Sequence, residues 1–407
     1  MLIYLSNGGT ADKMKELLIN SKRLEEHKDK IIKTAEEILD AIKEKRPVWI
    51  RHHNDCDGYC SAIALEKAIQ KNMYDILTRE SDFFFYYKRF PSRTPYYSYA
   101  DATKDISIML TESERFSRKT PLIIVVDNGS SKEDLMALKK LNIYGLKPIV
   151  IDHHPMCKEN DQYVSIHLNT GKSDLPASIL SAEVANILGG VNNPELYAIT
   201  GAIGDKSEAE ELGEYLKIAK EKGYDEGFFH SAAQAIDYEV NSLGNMEARQ
   251  YVQDLIFGDF ERMKEIIGIV EDEIKKEQQI VESISMKYLT CHEASGHIVA
   301  SIDTENFFNL KGLSNSKVTG IAKKKLEEVK RTPVVMLGYA SDIITVRVNK
   351  DLDFDMNKLK KYLESEFPYS MMSGGGHAKA GSIHFSKHLR DEILNKALQY
   401  FMEAKKC

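Results

Sequence analysis

Eight titratable side chains stand where apolar runs stop: His53, Asp55, Asp57, Asp127, Asp152, His153, His154 and Asp205. The densest stretch is Ile149-Val150-Ile151-Asp152-His153-His154-Pro155. A buried strand accounts for Ile149 to Ile151, but a hydrophobic core does not account for an acid and two imidazoles at its end. His53, Asp55 and Asp57 alternate along an extended turn, so all three can face one cavity. Carboxylates that close raise one another's pKa by repulsion, and a divalent cation removes that penalty. Oxygen-rich donors with one or two imidazoles suit Mn²⁺ or Mg²⁺ better than a thiolate-loving metal. The set exceeds what one such ion usually takes from protein. Two ions about 3.5–4 Å apart, sharing one carboxylate, fit better and suit an in-line phosphoryl displacement by an activated water.

Taken singly, each residue has a plainer reading. Asp55 serves equally as a helix N-cap, Asp127 and Asp205 as cap or turn residues, and a single histidine as a satisfied core residue. The force lies in the set.

These residues need strands that deliver them to one edge. Pro47 to Arg51, Pro121 to Val126 and Ile149 to Ile151 read as strands. Helices are expected from about Tyr59 to Lys71, Ile106 to Phe116, Lys132 to Leu141, Ser178 to Leu188 and Glu195 to Ile203. The β-α-β alternation predicts an α/β fold with a doubly wound, mainly parallel sheet, and right-handed crossovers put the strand ends on one edge. Ligands of such sheets sit outside the carboxyl ends of strands. Residues 1–46 read as an N-terminal helical arm, 47–215 as the catalytic domain, 216–284 as a helical connector and 285–407 as a smaller C-terminal α/β domain. In that last part, strands are expected at His297 to Ile302, Pro333 to Leu337 and Ile343 to Val348, then a glycine loop, Gly374-Gly375-Gly376-His377.

Composition narrows the class. At 407 residues and 43% hydrophobic, the chain can build two or three cores. It has no run of eighteen apolar residues and no leader pattern, so a cytoplasmic protein with no membrane span is expected. Five cysteines without C-x-x-C pairs fit a reduced compartment and disfavour a zinc site. A formal charge of −7 argues against a broad nucleic-acid coat, though not against a basic-lined channel. Phe83 to Phe90 with Arg93, Tyr96, Tyr97 and Tyr99 interleaves aromatic and basic residues. It reads either as a buried aromatic strand or subunit contact, the favoured alternative, or as a stacking surface for unpaired bases.

Four ordered motifs then match a known family. His53-Asn54-Asp55-Cys56-Asp57-Gly58, Val126-Asp127-Asn128-Gly129-Ser130, Asp152-His153-His154 and Gly201-Ala202-Ile203-Gly204-Asp205 resemble the DHH phosphoesterases, and Gly374 to His377 with Ala380-Gly381 resembles their associated domain. The H-x-D-x-D-G form is similar to archaeal RecJ-like nucleases. The resemblance implies metal ligation by His53, Asp55, Asp57, Asp127, His153 and Asp205, with Asp127 bridging two Mn²⁺ (or Mg²⁺) ions. It implies catalytic roles for Asp152, which orients the neighbouring ligand His153, and for His154, which contacts the scissile phosphate. It implies substrate contacts by Gly374, Gly375, Gly376 and His377, and by Arg347, for which a plain surface arginine is the nearly equal alternative. The expected activity is exonucleolytic hydrolysis of single-stranded DNA or RNA in repair or replication. A small-substrate phosphodiesterase, acting on cyclic dinucleotides or short oligonucleotides, and a non-catalytic replication scaffold are the alternatives. A GINS-type complex or a helicase is the partner that the relatives imply. Asn128 departs from the apolar residue common before the glycine. Polarity, DNA or RNA preference and homo-oligomeric state are left open.

Overall fold

The computed structural model describes residues 16–77, 79, 82–92, 94–171, 175–243, 260–307, 310 and 312–403. The start of the expected arm, Arg93 and part of the expected connector lie outside them, as does the His377 side chain. The chain divides into two compact units, one up to Ile267 and one from Gly268.

The first unit is built on five parallel strands: β1 (Val48–His52), β2 (Tyr87–Pro91), β3 (Leu122–Val126), β4 (Ile149–Ile151) and β5 (Ile166–Leu168). Their order is β2-β1-β3-β4-β5. Every residue of β1, β3, β4 and β5 is buried, as a parallel sheet covered on both faces requires. The chain passes from β1 to β2 on one side, then crosses to β3 on the other. The reversal between β1 and β3 opens a crevice at their carboxyl ends.

β5 was not expected. β2 starts within the aromatic segment Phe83 to Phe90, for which a buried strand was the favoured alternative; it alternates buried and half-buried residues and carries Lys88 and Arg89. Lys88 pairs with Glu112 at 2.7 Å, and Arg89 is buried against Glu66 at 2.9 Å. β5 is three residues long with His167 at its centre, too short for periodicity to register.

The helix α1 (Lys22–Lys43) buries Leu24, Ile31, Ala35, Ile38 and Ile42, one stripe at helical spacing. Glu211 accepts from Ser21 Oγ at 2.7 Å and Arg23 Nε at 2.9 Å. The expected arm is thus built into the first unit rather than standing apart from it. α2 (Cys56–Tyr74), α3 (Tyr99–Phe116), α4 (Leu135–Ile143), α5 (Ala177–Leu188) and α6 (Pro194–Gly204) follow the expected helices, with ends shifted by a few residues, up to seven at the start of α3. Among the described residues α7 (Glu210–Glu221), α8 (Glu226–Leu243) and α9 (Phe260–Tyr288) follow, the last continuing past Gly268.

The second unit has six strands in the order β10-β11-β9-β8-β7-β6: β6 (Leu289–Ala294), β7 (His297–Asp303), β8 (Val334–Tyr339), β9 (Ile343–Val348), β10 (Ser373–His377) and β11 (Ala380–His384). All pairs are antiparallel except β7 with β8. Val299, Val335 and Leu337 face α11 (Met356–Glu366) and α12 (Arg390–Glu403) through one core. Ile298, Val334 and Met336 face α10 (Asn315–Lys330) through another. The glycine run is the edge strand of a hairpin rather than a loop.

Candidate metal centre

All eight titratable side chains are drawn to one edge of the parallel sheet. β1 ends at His52, and the chain turns through His53-Asn54-Asp55 into α2. Asp55 Oδ1 accepts from Gly58 N at 3.0 Å, so Asp55 caps the helix, and its other oxygen lies 2.9 Å from His53 Nδ1. The cap reading and the site reading hold for the same residue. A Cβ on Gly58 would stand 2.3 Å from the His53 carbonyl oxygen, so only glycine closes this turn.

Asp57 is buried, and both its oxygens accept backbone N–H groups at the start of α5: Ala177 and Ser178, each at 3.0 Å. The helix N-terminus stabilises a carboxylate there. Asp127, just past β3, has φ +54, the left-handed region that aspartate tolerates. It is buried, with Oδ2 3.2 Å from His53 Nδ1 and Oδ1 3.3 Å from His153 Nε2. His153 Nε2 also lies 4.0 Å from Asp57 and 3.9 Å from Asp205. Asp205 arrives at the C-terminal end of α6.

Two donor groups result, His53 with Asp55 and Asp127, and His153 with His154 and Asp127. Asp127 belongs to both. Its Oδ1 is buried and has no hydrogen-bond partner among the described residues, with His153 Nε2 at ion-pair distance, 3.3 Å. A buried carboxylate oxygen left bare is costly, and a cation between the groups would satisfy it. The donors are carboxylates and imidazoles, which suits Mn²⁺ or Mg²⁺. The residues therefore fit the ions.

The electrostatics agree. Burial pushes the Asp57 carboxyl well above its usual value, and Asp127 adds to this. Burial, with Asp127 and Asp55 beside it, pushes Asp205 up to about 6. Burial also opposes the charge of Asp127, but His153 and His53 outweigh it and hold that carboxylate well below the usual range. Burial disfavours the charged forms of His53 and His153 too, yet the facing aspartates raise both well above 6.5. The carboxylates thus favour the protonated rings, and a cation would compete with those protons for the site.

Asp152 is buried and fully used. Oδ2 accepts from Ser130 N at 3.0 Å, and Oδ1 accepts from His153 N and His154 Nδ1, both at 2.8 Å. The ring it holds is that of His154 rather than that of His153, the neighbour expected from the sequence. His154 is 37% exposed, and although burial disfavours its charge, Asp152 carries it up to about 9.

The expected substrate residues lie in the second unit. Gly374 has φ +97, and a Cβ there would stand 2.4 Å from the Ser382 carbonyl oxygen. A Cβ on Gly376 would meet the Ala380 oxygen at 2.4 Å. Strand packing alone therefore demands glycine, independently of any phosphate. Arg347 on β9 donates to Ser316 Oγ and to the Val346 carbonyl oxygen. In the aromatic segment Phe83, Tyr87, Arg89 and Tyr97 are buried, while Phe84, Phe85 and Tyr99 are exposed.

Sequence reasoning passed over Asp237 of α8, whose Oδ1 accepts from Cys56 N at 3.1 Å. It also missed Asn169, which follows β5 and donates to the His154 carbonyl oxygen at 3.0 Å. The signal for Asn169 was the one used elsewhere, a polar residue closing an apolar strand, but β5 itself went unseen.

Residues 47–194 match the family described as "DHH family, N-terminal domain". An uncharacterized protein of Methanocaldococcus jannaschii is 32% identical over 425 residues, covering 95% of this chain and 56% of its own length. The chain thus spans about half the length of that relative. A solved structure described as the DHH domain of a member of a family of ribosomal proteins is 32% identical. It covers 97% of this chain and 96% of its own, with a TM-score of 0.85. RecJ from Thermus thermophilus, solved in complex with Mn²⁺, shares the fold at 16% identity and a TM-score of 0.61, covering 93% of this chain and 55% of its own.

Proposed function

The chain belongs to the DHH family, and on that premise we propose that it is a metal-dependent phosphodiesterase shortening single-stranded DNA or RNA from an end. The observation that carries the reading is Asp127, common to both donor groups, with a buried oxygen that has no hydrogen-bond partner among the described residues. His53, Asp55, Asp57, His153 and Asp205 would hold the ions with it. Bound there, such a pair of ions would activate a water and stabilise the attacking and leaving oxygens of an in-line displacement at phosphorus.

The remaining tasks fall to the protein. His154, held at Nδ1 by Asp152, keeps Nε2 for substrate, and its positive charge suits a phosphate oxygen. Asp57, fixed by two backbone N–H groups, keeps its place whether or not cations are present. A second reading, hydrolysis of cyclic dinucleotides or very short oligonucleotides, is favoured by one observation. Part of the segment that could grip a long strand is core, with Phe83, Tyr87, Arg89 and Tyr97 buried. A repair or replication setting, with a GINS-type complex or a helicase as partner, rests on the resemblance, and co-purification tests it.

The experiment is a product ladder from 5′- and 3′-labelled DNA and RNA strands with Mn²⁺, run against blunt duplex and dinucleotides. Stepwise shortening of single strands is expected. Equal cleavage of the duplex would sink the single-strand claim, and faster turnover of dinucleotides than of long strands would favour the second reading.

A further inference from the structure

Ser130, His167 and Asp161 are joined in the order of a serine-hydrolase triad. Ser130 Oγ lies 2.9 Å from His167 Nε2, and His167 Nδ1 lies 2.6 Å from Asp161 Oδ1. The surroundings exclude that chemistry. Ser130 is completely buried, so no substrate reaches its hydroxyl. The hydroxyl is also engaged from its other side by Asn169 Nδ2 at 2.8 Å. Its loop is fastened through three successive backbone carbonyls: Asn160 Nδ2 donates to the oxygens of Gly129 and Ser131, and Cys157 N donates to that of Ser130 at 2.7 Å.

The connections lead instead to the DHH triplet. Asn169 Nδ2 donates both to Ser130 Oγ and to the His154 carbonyl oxygen at 3.0 Å, and its own Oδ1 accepts from Gly171 N at 2.7 Å. Ser130 N donates to Asp152, whose other oxygen holds the His154 ring. His154 is thus gripped at two points, ring and carbonyl, and both grips pass through Ser130. Asp161 can only accept, so His167 Nδ1 carries a proton, and in the neutral ring Nε2 accepts from the Ser130 hydroxyl.

We propose that Asp161, His167, Ser130 and Asn169 form a positioning network that fixes the orientation of His154 toward the substrate phosphate. The inference rests on the reading of His154 as the phosphate-contacting residue. Networks of this kind around a site change activity by about 10–100-fold when broken.

The test compares Asn169→Ala and Ser130→Ala, each alone and combined with His154→Ala, by kcat on a labelled strand and by Mn²⁺ titration calorimetry. Side-chain ¹H–¹⁵N correlation spectra of metal-free protein report the histidine tautomers. The expected results are a loss in kcat of about tenfold for each single variant, unchanged Mn²⁺ affinity, and no further loss in the His154→Ala background. The spectra should give His167 as the Nδ1–H tautomer, with its Nε2 resonance shifted by Ser130→Ala. If Asn169→Ala does not fold, Ser130→Ala, which keeps the N–H to Asp152, carries the test. Equal losses with and without His154, weakened Mn²⁺ binding, or labelling of Ser130 by a fluorophosphonate would each overturn the network. If His154→Ala is as active as its parent, the reading of His154 fails and this inference with it. If His154→Ala is impaired and the network variants are not, the inference alone falls.

Discussion

At position 127 two demands meet on one residue. The backbone is left-handed there, φ +54, which few side chains beyond Asp, Asn and Gly accept. The carboxylate is also the one shared by both donor groups. Asp127→Asn separates these demands, because the amide keeps the turn and removes the charge. The variant is expected to fold, by circular dichroism, to lose Mn²⁺ binding in calorimetry, and to lose at least about a hundredfold in activity. Retained activity at equal Mn²⁺ would refute the bridging role. The sequence showed which residues gather here because each interrupts an apolar run. It did not show how they divide the work. That Asp152 holds the ring of His154 depends on a 2.8 Å contact that spacing cannot reveal.

The elements around the site are held by a few buried polar ties. Glu183 on α5 accepts from Tyr215 Oη of α7 and from Leu18 N at 2.9 Å, joining three segments. Burial pushes its carboxyl from 4.5 up to about 7, against the opposing effect of those donors. The fold therefore favours the neutral acid. That contribution to stability is complete below pH 4.5 and is lost as pH rises through about 7. Glu183→Gln, which stays neutral, should flatten the decline in unfolding free energy between these pH values, a difference on the order of 3 kcal/mol. Denaturant titrations of both proteins across that range check it, and parallel curves would refute it. Helices were legible because apolar stripes such as Leu24, Ile31 and Ile38 repeat over several turns. β5 gives only three residues, and β10 is built on Gly374, Gly375 and Gly376, so neither offers a strand pattern.

Each of the two units has its own sheet and buried apolar residues, and the proposed ions would bind in the first alone. Mn²⁺ at about a hundredfold excess over its Kd should add about 2.7 kcal/mol per bound ion to the first unit and nothing to the second. Scanning calorimetry should therefore show one transition moving upward with added Mn²⁺ while the other stays in place. Both transitions moving together would refute a centre confined to the first unit. At this scale the alternation of strands and helices was enough to name the α/β class. The division of the chain was less legible: α1 looked separable because charged residues fill one of its sides, yet Glu211 fastens its start to α7.

The donors of the centre run from His53 to Asp205 and come from the ends of β1, β3, β4 and α6. In a chain still being synthesised, no short segment contains a working part of it. The turn from His53 to Asp57 emerges first and could hold an ion only loosely. Asp127 and His153 follow, and Asp205 is last. An ion that arrives early has little to template, since closing loops this long costs entropy before any contact repays it. A metal held by these donors would therefore act late in biogenesis, sealing a unit whose sheet has already formed.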